Sequence, residues 1–184
     1  MVRRWVQMTV IIGLAFSIII GCSVSPGEDP PPPELDRKSP ENLFRFFADA
    51  YERKDIDKYS ECLHDEYLYE FDPKDYEAAG VEEDKPWWGK TQDEKATGGM
   101  FTDGQVGKVL MDLPIHAGPW TTEEGLGYRL EPSIQVTIDR GAETGPTTYW
   151  VFESWLDVEV VEDPYDATLY VFKEITEIVK EGGL

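Results

Sequence analysis

The segment Thr147 to Val161 constrains this chain most, because it alternates over a length that few folds accommodate. Trp150, Phe152, Leu156, Val158 and Val160 fall on one side, and Tyr149, Glu153, Asp157 and Glu159 on the other. A period of two means a strand with one face buried. A strand this long needs a bend inside a curled antiparallel sheet. Three more strand-like segments accompany it: Gln105 to Ile115, Tyr128 to Asp139 and Thr168 to Val179. In the last, Leu169, Phe172, Ile175 and Val179 also suit a helix, and the reading here is strand.

Helical spacing precedes the strands. Ser39-Pro40-Glu41-Asn42 has the form of a helix start, with a capping Ser and a first-turn Pro. Leu43, Phe46, Phe47, Ala50 and Tyr51 then recur at helical spacing until Lys54-Asp55 interrupts them. A second short helix carries Ile56, Tyr59, Cys62 and Leu63 and closes at His64-Asp65. Glu66 to Asp72 reads as a strand with Tyr67, Tyr69 and Phe71 on one side, ended by Pro73. Residues 74 to 86 read as irregular, Trp87-Trp88-Gly89 follows, and a helix is expected from Thr91 to Phe101. Helices first and long strands after give an α+β domain over residues 39–184.

That domain follows a different kind of sequence. Arg3 and Arg4 precede an almost wholly apolar stretch, Trp5 to Ile20, which ends at Gly21-Cys22. A charged start, an apolar core and a small residue at the cut describe a secretory leader over residues 1–21. Ile19-Ile20-Gly21-Cys22 resembles the lipobox of bacterial lipoproteins, with Ile in place of the usual Leu and of the usual small residue. The resemblance implies cleavage before Cys22, lipid on its sulfur, and a membrane-anchored domain in the cell envelope outside the cytoplasm. Ser23 in place of Asp resembles the outer-membrane sorting pattern of a host with two membranes. The competing reading is an uncut transmembrane helix, for which the apolar run is near the lower length limit. Residues 22–38, with Pro30 to Pro33 and scattered acids, read as an extended tether.

The formal net charge is −20, and becomes −22 once the leader with its two bases and no acid is removed. Such a body repels phosphate backbones and anionic headgroups, which argues against a nucleic-acid partner. With Cys22 lipidated, Cys62 is left alone and reads as a buried small hydrophobe.

The order of elements resembles the NTF2-like superfamily, including its SnoaL-like members. The resemblance rests on Pro40-Glu41-Asn42-Leu43 through Ala50-Tyr51, Lys54-Asp55-Ile56-Asp57-Lys58-Tyr59 and Leu63-His64-Asp65-Glu66-Tyr67. It implies a cone made by a helical hairpin packed on a strongly bent antiparallel sheet. The family's active sites use a buried acid or His with a Tyr at the cone's open end. No residue set here matches that pattern well enough to carry a catalytic role across.

The candidate pocket residues are Tyr67, Tyr69, Trp87, Trp88, Phe101 and Trp150, chosen as aromatics suited to an apolar wall. His64 reads as a helix-end residue, and His116 as a loop residue. No nucleophile elbow, phosphate-binding loop or metal-ligand spacing is present in the sequence, and no cofactor is expected. Two function classes result. The leading one is a non-catalytic module that binds a small apolar ligand or a protein partner. The alternative is an isomerase- or dehydratase-like enzyme. A titratable group facing a dry pocket separates them, since proton transfer requires one. A homodimer through the outer sheet face, using Tyr149 and Trp155, suits either.

Overall fold

The structure is a computed structural model that describes residues 35–139, 146–150 and 154–179, with the backbone alone at 149, 150 and 179. The leader, Cys22 and the tether as far as Glu34 lie outside the described residues.

Helix α1 (Pro40–Arg53) starts where a side chain replaces a missing backbone partner. Ser39 Oγ accepts from the Asn42 amide at 3.2 Å. It ends at Lys54, whose left-handed backbone (φ 56°) turns its amide back to the Ala50 and Tyr51 carbonyls. Its inner face buries Leu43, Phe44, Phe47 and Ala50. Phe44 and Phe47 reach the sheet at Phe172, with ring centroids 5.7 and 5.0 Å away. Helix α2 (Ile56–Glu61) is capped by the Asp55 carboxylate on the Lys58 amide. Cys62, fully buried, closes it, and its thiol donates to the Lys58 carbonyl. Burial pushes that thiol well above its ordinary range, which suits a core residue and not a nucleophile.

The chain then passes without a loop into β1 (Leu63–Glu70). His64 and Asp65 are therefore strand residues and do not close a helix. The stretch read as irregular holds a 3₁₀ turn at Pro73–Asp75 and a short helix α3 (Tyr76–Ala79). Next come the short strand β2 (Trp87–Gly89), helix α4 (Lys90–Thr102) and β3 (Val106–Asp112). Six more strands follow: β4 (Ile115–Thr121), β5 (Leu126–Leu130), β6 (Ser133–Asp139), β7 (Pro146–Trp150), β8 (Ser154–Asp163) and β9 (Asp166–Val179).

Among the described residues, one sheet runs β2-β1-β9-β8-β5-β4 and a second runs β3-β6-β7. All pairings are antiparallel except that of β1 with β9. Two segments read as single strands change sheet on the way. Tyr128 to Asp139 divides at Glu131-Pro132, so that β5 pairs with β8 while β6 pairs with β3. Proline has no amide hydrogen to continue a ladder, so the break falls there. Thr147 to Val161 likewise serves β7 in one sheet and β8 in the other, and the expected bend falls at residues 151–153, outside the described residues. Gln105 to Ile115 stops at Asp112, and a separate strand begins at Ile115.

The alternation in β8 holds, with Leu156, Val158 and Val160 buried and Asp157 and Glu159 half-buried. The segment from Thr168 onward is a strand, paired along its length with β8. The last tether residues are stitched to that hairpin. Arg37, 8% exposed, pairs with Asp163 at 3.0 Å, and its carbonyl accepts from the Tyr170 amide at 2.8 Å.

Candidate functional site

A cavity of about 650 Å³ opens between α4, the end of β1 and the β3-β6 sheet. Its size suits a small organic molecule. Helix α4 presents Asp93, Ala96, Thr97 and Met100 to it, at i, i+3, i+4 and i+7. Val109, Ile134 and Val136 form the facing wall.

Asp93 is the most deeply buried charged group of that lining, at 7% exposure. Its Oδ1 accepts a long hydrogen bond from Thr97 Oγ1 at 3.4 Å. Among the described residues, neither Oδ2 nor the buried Tyr67 hydroxyl has a well-formed hydrogen bond. The Tyr67, Tyr59 and Thr97 hydroxyls still lie close enough to favour the ionised carboxyl. Burial outweighs them and raises the Asp93 pKa above the ordinary aspartate value. The phenols around it move in the same direction. Burial first, and then the Asp93 charge, pushes Tyr51 up to about 12. Burial likewise lifts Tyr67 and Tyr59 well above their ordinary range. Near neutral pH these phenols keep their protons, which leaves Asp93 as the carboxyl of the cluster.

The rim has a different chemistry. Tyr69, Phe71 and Trp88 form an aromatic corner, with centroids 4.8 Å apart from Tyr69 to Phe71 and 4.8 Å from Phe71 to Trp88. Beside it, Glu177 Oε1 accepts from the Tyr69 hydroxyl at 2.6 Å, and Oε2 accepts from the Asp72 amide at 3.0 Å. Lys74 Nζ donates to Ser154 Oγ at 3.2 Å, and Asp75 completes the edge.

Of the aromatic candidates, Tyr69 and Trp88 line the cavity. Tyr67 lies behind the wall, 1% exposed, and meets the cavity only through Asp93. Phe101 packs in the core against Tyr51, with ring centroids 5.4 Å apart. Trp87 is half-buried on β2 and outside the lining. The Trp150 side chain, like Cys22, lies outside what the structure describes.

Sequence reasoning missed Asp93, Thr97, Glu177 and Ser154. The usable signal was the 93/96/97/100 spacing, a helical face of small and polar residues ending in Met. Among the described residues no group of three His, Cys, Asp or Glu is placed to hold a metal.

Both histidines require correction. His64, on β1, accepts from the Glu66 amide through Nδ1 at 3.0 Å and does not line the cavity. His116 is a β4 residue, not a loop residue, and stacks on Trp155 at 4.8 Å. Arg129 also lies over the Trp155 ring, 5.1 Å from its centroid. His64→Gln should therefore lower stability by about 1 kcal/mol or less, the scale of one hydrogen bond. Affinity for a ligand in the cone should stay unchanged. Thermal unfolding read beside a binding titration checks this, and a selective loss of affinity would contradict it.

No protein-family model matches the chain, and no curated protein matches it in sequence. Solved structures do match its shape. The Kfla4162 protein of Kribbella flavida is 15% identical with a TM-score of 0.57, covering 75% of this chain and 86% of its own. A candidate aromatic ring hydroxylase from Novosphingobium aromaticivorans is 14% identical with a TM-score of 0.55, covering 78% and 88%. An NTF2-like superfamily protein from Salmonella enterica is 10% identical with a TM-score of 0.48, covering 77% and 89%. A helical part packed on a curved, mainly antiparallel sheet is the arrangement expected of an NTF2-like cone, and the Kribbella and Novosphingobium proteins share this chain's fold.

Proposed function

We propose that this NTF2-like cone is a small-molecule site in which Asp93 transfers protons, as in an isomerase or dehydratase. The fold hosts binders and enzymes alike, so the site has to decide. One observation carries the reading: a buried carboxyl, its Oδ2 without a partner among the described residues, faces a cavity of ligand size. That is the titratable group by which the two function classes were to be separated. A carboxyl pKa raised above its ordinary value moves in the direction that suits acid–base work. In the protonated form Asp93 donates to a leaving hydroxyl. In the ionised form it accepts a hydrogen from carbon beside a carbonyl. The tyrosine hydroxyls behind it favour the ionised form.

Deuterium exchange into a panel of cyclic ketones in D2O, followed by NMR, tests this. The wild type should accelerate exchange, and Asp93→Asn should slow it by about 100-fold or more. Equal exchange by the two proteins would remove the acid–base role. Binding without turnover is the second reading, favoured by the aromatic corner of Tyr69, Phe71 and Trp88.

The proposal has a cellular side. Lipid on Cys22 holds the domain to a membrane outside the cytoplasm, and the tether lifts the cone off that surface. The support is the leader, the lipobox-like Ile19-Ile20-Gly21-Cys22 and the proline run after it.

A further inference from the structure

We propose that the rim of the cavity, where Tyr69, Phe71 and Trp88 meet the Glu177 and Asp75 side chains, seats the ammonium group of a hydrophobic amine. The inference rests on reading the cone as a small-molecule site and names the class of molecule it takes.

Charge is the first ground. The lining holds Asp75, Asp93 and Glu177 against a single base, Lys74. Lys74 is turned to Ser154 Oγ and forms no ion pair among the described residues. Glu177 is held by two neutral donors, the Tyr69 hydroxyl and the Asp72 amide. Neither Glu177 nor Asp75 has a cationic partner among those residues. The whole chain carries −20, so its field concentrates cations and depletes anions at a concave opening.

The second ground is the aromatic corner beside those carboxylates. Ring faces attract ammonium groups, most strongly where water is displaced, and a nearby carboxylate adds to the attraction. Phe71 lies 4.8 Å, centroid to centroid, from both Tyr69 and Trp88, so the three rings make one continuous wall.

A third, independent ground shows that the cavity is built for a polar ligand. Asp93 is 7% exposed, lines the same space, and leaves Oδ2 without a partner among the described residues. The ligand thus brings a polar hydrogen to Asp93 in the depth and a cation to the rim. Ala96, Met100, Ile134 and Val136 lie along the apolar stretch between.

The test compares three probes of one shape on the full chain: 2-phenylethylammonium, 2-phenylethanol and 3-phenylpropanoate, titrated by calorimetry. The ammonium should bind about ten-fold tighter than the alcohol, and the carboxylate weakest of all. Glu177→Gln should bring ammonium and alcohol to nearly equal affinity. Trp88→Leu, checked by circular dichroism for a folded state, should weaken the ammonium more than the alcohol. Asp93→Asn should keep the ammonium preference. Equal binding of ammonium and alcohol, preference for the carboxylate, or no binding of any probe would overturn the proposal. So would a preference erased by Asp93→Asn and untouched by Glu177→Gln. Failure of ketone exchange with the ammonium preference intact would remove the proton-transfer role alone.

Discussion

Asp93→Asn is expected to stabilise the protein at neutral pH while it removes the proton-transfer group. Burial raises the Asp93 pKa, so the folded state binds this proton more tightly than the unfolded state does. The stability linked to the group is fully present below the unfolded aspartate value of 3.8. It falls as pH rises through the raised folded value, and above that the loss is complete. Asparagine has the same shape and no charge to bury. Its amide can also pair with the Tyr67 hydroxyl, which makes no well-formed hydrogen bond among the described residues. The variant should gain on the order of 1–3 kcal/mol at pH 7, the usual cost of an unsatisfied buried polar group. The two proteins should converge as pH falls to about 4. Urea unfolding of both across pH 3.5 to 8 reads this directly. A wild type that stays ahead of the variant at pH 7 would mean that the tyrosines satisfy the carboxylate better than its burial penalises it.

The same residue shows where sequence reading stops. The opening helices are written in local chemistry: Ser39 and Pro40 start α1, Lys54 closes it and Asp55 starts α2. Local signals act within a few residues, so they are legible without any partner. The core side of β8 is also legible, because a period of two shows which residues share a face. Two things are not local. One is where a long alternating stretch leaves one sheet for another, as at Glu131-Pro132, which depends on pairing with β8 and β3. The other is which face of α4 points inward. That helix has no clear apolar stripe, so nothing in it marks Asp93 and Thr97 as inward before β1 and the β3-β6 sheet enclose them. The aromatic candidates divide for the same reason. Tyr69 and Trp88 reach the cavity, while Tyr67 and Phe101 are used up in the core beneath it. Ring size tells that a residue will be buried, and only the packing tells against what.

Cys22→Ala is expected to move the protein from the membrane fraction to the soluble one, nearly completely. Lipid attachment needs the sulfur, which alanine lacks, and one or two acyl chains separate marginal from stable anchoring at about 0.8 kcal/mol per buried CH₂. The body beyond the leader offers no substitute hold, since at −22 it is repelled by anionic headgroups. The tether offers none either. Its described end is pinned to the domain by Arg37 on Asp163. Fractionation with mass spectrometry of the N-terminus distinguishes the outcomes. Wild-type material should start at a lipidated Cys22. A variant still in the membrane with residues 1–21 attached would point to the apolar stretch as a transmembrane anchor, and an unmodified thiol on membrane-bound wild type would defeat the lipid proposal.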